Sequence, residues 1–328
     1  MRVHEIDEFE LIRRFKEVLP SSPRATLGSG DDCAVIAAPE GHFIVSTDIV
    51  MEHCDFKREW STAREIGRRA AAQNLADIAA MGGRVSTAVV SMTVPKDEDV
   101  DWLVDLVAGF GEEIAAAGGG VDGGDLSAGD SVIIAVTVMG WCEGNPITRA
   151  GAQDGNLVAV AGTLGRSAAG LDLLLGGYVH PSLRSSEDLG ELHEAVNIFR
   201  TPQPPLEAGP RALGAGATAM MDLSDGLAKD AGRIARASGV IIDIDREALR
   251  ADEDALAAAS QLAGTPALEW IITGGEDHAL FATFPADTPL PEGFRPIGSV
   301  RACTEGETPG AFMSGAELHG GWDHFRQD

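Results

Sequence analysis

The sequence predicts an α/β (α+β) protein built from two domains. At 328 residues, the chain has room for about two domains of roughly 150 residues each. Helical periodicity alternates with short runs of β-branched residues in both halves, which is the pattern of sheets covered by helices. Hydrophobic residues make up 44% and charged residues 23% of the sequence. These proportions are those of an ordinary globular protein and exclude disordered and fibrous classes.

The first half alternates helices and strands. An early β-branched run ends at a carboxylate, Asp48. Thr62 and Glu65 have the spacing of a capping box, and the Ala-rich run after them favours a buried helix. A Gly-rich turn separates the last helix from the last strand. The predicted elements, in order, are a helix over residues 8–19, a strand over 42–47, a helix over 62–81, a strand over 85–94, a helix over 97–117 and a strand over 131–141.

The composition changes around residues 143–148, where the segment EGNPIT interrupts the pattern. Because Gly, Asn and Pro of this kind end regular elements, we place a domain boundary here, between residues 1–145 and 146–328. Helices again separate strands in the second half. We predict a strand over residues 157–161, a helix over 165–175, a strand over 217–221, a helix over 226–238 and strands over 240–244, 270–273 and 279–284.

Charge and cysteine content exclude several classes of protein. The 51 acidic residues against 25 basic residues give a net charge of −26, which repels nucleic acid and anionic membranes. Cys33, Cys54, Cys142 and Cys303 have no CxxC spacing, so they indicate neither a zinc site nor a disulfide framework. No stretch approaches the roughly 18 apolar residues of a membrane span, and the N-terminus is charged throughout. We therefore expect a cytoplasmic protein that binds neither nucleic acid nor membranes.

Five acidic segments place a carboxylate beside Gly, Ser or Thr, at a predicted strand end or in a loop. Turns favour such residues, so each segment alone is a weak sign of function. The recurrence of one arrangement at five places is more informative than any one of them. The segments are Gly30-Asp31-Asp32, Ser46-Thr47-Asp48, Gly123-Gly124-Asp125, Asp222-Leu223-Ser224-Asp225-Gly226 and Gly274-Gly275-Glu276-Asp277.

Asp77 lies on a predicted helix, where it shares one stripe with Ala70, Asn74 and Met81. A carboxylate on a buried stripe needs a partner, because an unpaired buried charge is costly. A helix cap or an arginine such as Arg69 could satisfy Asp77, and a cation is the interpretation we favour. If the acidic segments converge, they need compensating positive charge. Hard oxygen ligands of this kind suit Mg²⁺ or Ca²⁺ rather than zinc.

Phosphoryl transfer is the chemistry that these carboxylates indicate. Mg²⁺ commonly bridges carboxylates to substrate phosphates, and the protein then needs no nucleophile of its own. The chain has no GxxxxGK[ST] segment and only four lysines, which excludes a P-loop enzyme. Residues 118–123 match GxGxxG but follow a predicted helix, so we treat the match as chance. Arg149 and Gly165, the latter at the start of a predicted helix, are candidates for holding phosphates.

Nine segments in this order resemble the thiamine-monophosphate kinase family, of the superfamily that includes aminoimidazole ribonucleotide synthetase. They are GDDCAVI, STDIV, NLADIAAMGG, GGDLS, RAGAQDG, GRSAAGL, MDLSDGL, ITGGEDHAL and GWDHF. The resemblance implies an aminoimidazole ribonucleotide synthetase-like fold, with an N-terminal mixed sheet carrying helices on one side and a C-terminal α/β sandwich. It also implies a homodimer formed through the N-terminal halves. The activity it implies is direct in-line transfer of the γ-phosphoryl group of ATP to thiamine monophosphate, with several Mg²⁺ ions.

The same resemblance implies roles for particular residues. The implied metal ligands are Asp32, Ser46, Thr47, Asp48, Asp77, Asp125, Asp222 and Asp225, of which Asp48, Asp77 and Asp125 form the catalytic set. The implied ATP contacts are Gly124, Asp125, Arg149 and Ser224. The implied acceptor contacts are Asp55, Glu276 and Trp322. An indole is suited to that role, since its face attracts cationic rings.

The chain departs from the family pattern at positions that bear on the acceptor. Asp55 stands where the family commonly has a histidine, although His53 lies two residues away, and His278 stands where a tyrosine follows GGED. These changes bear on acceptor fit more than on ATP chemistry. Two other functions stay open. One is another ATP-dependent enzyme of the superfamily, such as a cyclo-ligase or related phosphotransferase, and the other is a non-catalytic divalent-cation-binding protein.

Overall fold

The computed structural model of the chain describes residues 1–6, 8–27, 35–38, 41 and 43–322. The chain forms two compact units, which we describe separately. The first comprises Met1–Ile78 and Gly83–Gly144, and the second comprises Ala79–Gly82 and Asn145–Asp328. In the part of the chain just named, no helix combines the length and the apolar composition that crossing a membrane requires.

The first unit alternates helices and strands nearly as predicted. Asp99 caps the helix α3, because its side chain accepts hydrogen bonds from the backbone N–H groups of Asp101 and Trp102. The helices are α1 Glu8–Val18, α2 Ala63–Ala80 and α3 Val100–Ala116. The strands are β1 Ala25–Leu27, β2 Val35–Ile36, β3 Ile44–Met51, β4 Arg84–Val94, β5 Gly120–Ala128 and β6 Ile133–Trp141. The predicted strand start at residue 42 lies outside the described residues.

A four-stranded sheet of order β3-β6-β4-β5 organises this unit. The β4–β5 pair is parallel and the other two pairs are antiparallel, so the sheet is mixed, as predicted. Ile134, Val136 and Val138 of β6 are buried on the face that carries α2 and α3. These helices approach closely where Gly67 faces the Leu106 carbonyl, because a Cβ at Gly67 would overlap that oxygen. The helices therefore lie on one side of the sheet.

The Gly-rich turn predicted before residue 131 is wrong, because most of this segment forms the strand β5. Gly123 and Gly124 pair with Val89 and Val90 of β4, and a Cβ at Gly124 would overlap the carbonyl oxygen of Val90. Glycine is needed here for close packing of two strands rather than for a turn. The GxGxxG match at 118–123 thus enters an edge strand and precedes no helix.

The second unit contains a seven-stranded sheet of order β13-β12-β9-β11-β7-β10-β8. All its strand pairs are antiparallel except β12–β9. The strands are β7 Leu157–Ala161, β8 Ala219–Asp222, β9 Val240–Ile244, β10 Leu280–Phe284, β11 Phe294–Ala302, β12 Gly310–Met313 and β13 Ala316–Glu317. The helices are α4 Arg166–Leu175, α5 Ser186–Leu189, α6 His193–Arg200, α7 Ala208–Gly214, α8 Leu227–Ser238, α9 Arg250–Ala255, α10 Ala257–Ala263 and α11 Ala267–Thr273.

The strand predicted over residues 270–273 is wrong, since these residues end the helix α11. Trp270, Ile271 and Ile272 are buried, and burial outweighs the weak preference of such residues for strands. The strand β11 was not predicted, because Pro296 and Gly298 interrupt its pattern. The pairing of β11 with β7 shifts register between these two residues, which is how a strand accommodates them.

A buried cluster explains why residues 79–82 belong to the second unit. Ala79 and Ala80, at the end of α2, pack in one apolar cluster with Ala159, Phe284 and Phe294. The rings of Phe284 and Phe294 meet edge to face, with 5.3 Å between their centroids. The unit boundary therefore falls within a helix as well as at Asn145, close to the predicted division at 145 and 146.

Candidate functional site

Two hydrogen bonds join the strand β3 to the helix α2 in the first unit. Ser46 Oγ donates to Asp77 Oδ2 at 2.5 Å, and Gln73 Nε2 donates to Asp48 Oδ2 at 2.5 Å. Ser46 and Asp48 share one face of β3, while Gln73 and Asp77 are one turn apart on α2. The two contacts are therefore about 6 Å apart, since two residues along a strand and four residues along a helix both advance by about that distance. We call these four residues the helix-face group.

The helix-face group has the chemistry of a magnesium site. It offers two carboxylates and a hydroxyl, which are hard oxygen donors. Asp48 is exposed and Asp77 is half-buried, so ligands can reach them. Gln73 orients the Asp48 carboxylate, as outer partners of metal ligands usually do, and the Ser46 hydroxyl, itself a possible ligand, holds the Asp77 carboxylate. The expectation that Ser46, Asp48 and Asp77 come together is consistent with these contacts.

Thr47 and Asp125 lie on the opposite face of the same sheet, which we call the open face. Thr47 is paired with Thr137 of β6, and Thr137 Oγ1 donates to Thr47 Oγ1 at 3.1 Å. Asp125 on β5 is paired with Ser91 of β4. Since β3 and β5 are opposite edges of the sheet, three strand spacings of about 5 Å separate them. Asp125 and its neighbour Gly124 are both exposed.

The predicted ligands of the first unit thus divide into a helix-face group and an open-face group. Among the residues that the structure describes, no three His, Cys, Asp or Glu side chains gather closely enough to hold a metal ion. Asp32 lies outside the described residues. A Mg²⁺ site built from one or two carboxylates and substrate phosphates needs no such cage, so the donor set still fits that ion.

In the second unit, Asp222 is buried at the end of β8 and pairs with a histidine. His278 Nδ1 lies 3.1 Å from Asp222 Oδ2, and only 3% of His278 is exposed. The histidine that replaces the family's tyrosine therefore contacts a predicted metal ligand. Leu223 and His278 also bind through their backbones, since the His278 N–H donates to the Leu223 carbonyl.

Asp225, three residues along, is held by two cations from α8. Lys229 Nζ lies 3.1 Å and Arg233 Nη2 lies 2.6 Å from Asp225 Oδ2. Arg233 also pairs with the buried Asp230 at 2.5 Å. Burial raises the pKa of Asp230 to about 6, although the N–H of Asp225 and the charge of Arg233 act to lower it. The predicted ligand Asp225 is thus already neutralised by the chain itself.

The loop of residues 274–278 lies against the Asp222–Asp225 turn. The Glu276 N–H donates to the Ser224 carbonyl at 3.0 Å, and a Cβ at Gly275 would overlap that same oxygen. Glu276 and His278 have φ values of 69° and 53°, the left-handed region that residues with side chains rarely occupy. Strained backbone of this kind is common at binding sites. Ser224 and Glu276 are brought together here.

Asp277, between those two residues, caps the helix α4. Its Oδ1 accepts from Thr163 Oγ1 at 2.6 Å and from the Arg166 N–H at 3.1 Å, and its Oδ2 accepts from the Ser167 N–H at 3.1 Å. The helix start predicted at Gly165 to bind phosphate is therefore taken by a carboxylate, which would repel one. This use of Gly165 is corrected.

The remaining predicted residues have different surroundings. Trp322 is 49% exposed, and its backbone N–H donates to the Asp225 carbonyl at 2.9 Å, so its backbone lies against the Asp222–Asp225 turn. Asp55 accepts a hydrogen bond from the Met51 N–H at 2.7 Å, which stabilises a turn in the first unit. Arg149 is exposed.

Sequence reasoning missed several residues that contact the predicted ones. Gln73 could have been found, because it lies four residues before Asp77 and therefore on the same helix face. Lys229 and Arg233 follow Asp225 at four and eight residues, another helical spacing. His278 was singled out as a departure from the family pattern, but its contact with Asp222 was missed, because that contact depends on the pairing of β8 with β10.

Known proteins resemble the chain over most of its length. A family model described as AIR synthase related protein, N-terminal domain, matches residues 30–142. A thiamine-monophosphate kinase of Mycobacterium tuberculosis is 42% identical over 299 residues, which are 91% of this chain and 86% of that relative. The chain belongs to the thiamine-monophosphate kinase family.

Solved structures of thiamine-monophosphate kinases have the same fold. The enzyme from Stenotrophomonas maltophilia K279a matches with a TM-score of 0.78 at 28% identity, over 94% of this chain and 96% of that one. A structure described as AaThiL complexed with AMPPCP and TMP matches with a TM-score of 0.77 at 29% identity, over 99% of both chains. The α/β architecture that the sequence segments implied for a thiamine-monophosphate kinase is confirmed.

Proposed function

We propose that this protein transfers the γ-phosphoryl group of ATP directly to thiamine monophosphate, giving thiamine diphosphate and ADP. The observation that carries the proposal is the similarity over 99% of the chain to a solved relative complexed with AMPPCP and TMP. The paired oxygen donors on β3 and α2 support it, because phosphoryl transfer needs charge neutralisation and alignment more than a protein nucleophile.

Mg²⁺ is the cation that we assign to the helix-face group, with Ser46, Asp48 and Asp77 as its ligands. When bound, the ion would neutralise charge on the phosphates of ATP. Gln73 holds the Asp48 carboxylate and Ser46 holds that of Asp77, so the protein fixes both before any ligand arrives. Such preorganisation avoids a reorganisation cost during the reaction.

The other predicted ligands and ATP contacts keep their roles as part of the proposal. Those that the structure describes belong to the open face, to the Asp222–Asp225 turn or, for Arg149, to the exposed surface of the second unit, whereas Asp32 lies outside the described residues. The exposed Asp125 carboxylate and the Arg149 guanidinium suit a further Mg²⁺ ion and phosphate oxygens, whereas Asp222 is buried and Asp225 is partly buried. These residues are Asp32, Thr47, Gly124, Asp125, Arg149, Asp222, Ser224 and Asp225.

We assign Glu276 and Trp322 to the acceptor, with Asp55 as a further contact. The half-exposed indole of Trp322 offers a face to a cationic thiazolium or an aminopyrimidine ring, and the Glu276 carboxylate offers an acceptor for hydrogen bonds. A phosphate monoester has its second pKa near 6, so its oxygen is largely ionised at neutral pH and attacks without a general base.

The decisive experiment is incubation of the purified protein with ATP, MgCl₂ and thiamine monophosphate, with products identified by mass. We expect thiamine diphosphate and ADP in equal amounts, and no product after chelation of divalent ions. ATP turnover with a different acceptor would instead favour a cyclo-ligase or related phosphotransferase. Binding of Ca²⁺ without any nucleotide turnover would favour a cation-binding protein.

A homodimer formed through the open face is also part of the proposal. On β3, Val45 is 64% exposed and Ile49 is 45% exposed, and both share this face with Thr47. A sheet with one face in water normally carries polar residues there. A two-fold axis pairs one surface patch with the same patch of a second copy. We therefore assign a second copy of this chain as the partner that covers the open face, as the family resemblance implies.

Charge introduced on this face tests the dimer. We expect Val45→Asp to convert the protein from dimer to monomer, because each copy would bury a carboxylate in the interface without a partner. The mass in solution, measured by light scattering after gel filtration, gives the result. Leu175→Asp, at an exposed apolar residue of the second unit, is the matched control and should remain dimeric. A wild-type protein that is monomeric would contradict the assignment.

A further inference from the structure

Both backbone polar groups of Trp322 are fixed within the second unit. Its N–H donates to the Asp225 carbonyl at 2.9 Å, and its carbonyl accepts from Lys229 Nζ. Gly321, just before it, has a φ of 110° and lies against the aliphatic stem of Lys229. Trp322 as a whole is nevertheless 49% exposed. The backbone is held at both polar groups while about half of the residue stays exposed to solvent, which differs from the full burial expected of a plug for the chain end.

Lys229 makes the second of these contacts and also binds the carboxylate of Asp225, at 3.1 Å. One ammonium group thus joins a carboxylate that we assign to a metal ion and the residue that we assign to the acceptor. It is the only lysine between residues 145 and 328. Arg233, one turn further along α8, supplies a second cation to Asp225, whereas the hydrogen bond to the Trp322 carbonyl comes from Lys229.

We propose that Lys229 is a positioning residue that places Trp322 for the acceptor and limits the affinity of Asp225 for divalent cations. The proposal rests on the proposed function. The two parts predict opposite changes in affinity when the ammonium group is removed. Acceptor binding should weaken, because the Trp322 carbonyl loses its donor, and cation binding at Asp225 should not weaken, because a positive charge that repels the metal ion is gone. A residue with only a structural role would weaken both kinds of binding when it is lost.

The test uses Lys229→Met, which keeps the stem against Gly321 and removes the charge. We expect the Kd for thiamine monophosphate, measured by calorimetry with Mg²⁺ and without ATP, to rise about tenfold or more, because hydrogen bonds from charged groups contribute on that scale. The KM for ATP should change by less than about twofold. Mn²⁺ affinity, measured from the free-ion signal in electron paramagnetic resonance, should be unchanged or higher.

Three further variants sharpen this test. Lys229→Arg should retain most acceptor affinity, since the charge and a donor remain. Lys96→Met, at an exposed lysine of the first unit, should match the wild type. If Lys229 acts through Trp322, the two effects are not additive. Adding Lys229→Met to Trp322→Ala should then weaken acceptor binding by less than about twofold more.

The outcomes separate the two proposals. An unchanged acceptor Kd in Lys229→Met would overturn the role of Lys229 while leaving the kinase function intact. Weaker binding of acceptor, ATP and Mn²⁺ together, with a lower melting temperature, would also overturn it, because that pattern is loss of structure. A wild-type protein that does not phosphorylate thiamine monophosphate would overturn the proposed function itself. Calorimetry and Mn²⁺ binding still give a result for Lys229 in that case.

Discussion

Replacement of Asp77 by asparagine is expected to lower kcat for thiamine monophosphate phosphorylation by about 10²–10³-fold, the usual loss when one group that stabilises transition-state charge is removed. The amide introduced by Asp77→Asn keeps an oxygen that can accept from Ser46 Oγ, so the contact between β3 and α2 should survive. The charge that neutralises a bound cation is lost. Steady-state rates over a range of MgCl₂ concentrations give the measurement, and the variant should need more MgCl₂ for half-maximal rate.

Asp130→Asn provides the control, because Asp130 is an exposed residue of the same unit and undergoes the same chemical change. Its rate and its MgCl₂ dependence should equal those of the wild type. The circular dichroism spectrum and melting temperature of Asp77→Asn should also be unchanged. Near-normal turnover in Asp77→Asn at limiting MgCl₂ would remove the helix-face group from the mechanism. Asp48→Asn and Asp125→Asn then test separately whether the helix-face group and the open face contribute to kcat.

The second large effect is expected for stability, at Asp277. Its carboxylate accepts three hydrogen bonds, from Thr163, Arg166 and Ser167, and the N-cap residue of α4, Gly165, has no side chain that could accept them. In Asp277→Asn, an NH₂ group must face at least one of these donors. Leaving buried donors unsatisfied costs about 2–4 kcal/mol, which corresponds to a fall in melting temperature of about 5–10 °C for a unit of this size.

Differential scanning calorimetry of Asp277→Asn measures that fall. Asp287→Asn, in an exposed turn of the same unit, is the matched control and should melt with the wild type. We also expect a higher KM for the acceptor in Asp277→Asn, since Glu276 is its neighbour in the chain. Equal melting temperatures for the two variants would show that the three hydrogen bonds contribute little.

Much of the architecture could be predicted from the sequence because its signals are local. The strand β7 and the helix α2 follow from runs of apolar residues and a capping box. The strand β5 could not be predicted, because Gly123 and Gly124 are demanded by the approach of β4, which lies far away in sequence. The helix α11 was misassigned for a similar reason, since burial of Trp270 and its neighbours overrides their preference for strands.

The candidate site was predictable to a different degree in each unit. The pairing of Asp48 with the Asp77 helix could be expected from a carboxylate beside a predicted strand and a polar stripe on a helix, although β3 runs on to Met51 and Asp48 lies within it rather than at its end. The separation of Asp125 onto the other face could not, because it depends on the strand order and register. The cations that neutralise Asp225 were likewise hidden, since a lysine and an arginine on a helix are most often solvated.

The left-handed backbone at Glu276 and His278 restricts how this protein can evolve. Gly, Asn and Asp tolerate that conformation at little cost, whereas β-branched residues do not. A β-branched residue at position 276 would therefore strain the loop, whereas other unbranched side chains would bear the cost that Glu276 already bears. A lineage that adapts to a different acceptor is expected to accumulate changes at Trp322 or Asp55, where the backbone is not left-handed, and to keep the GGED loop unchanged.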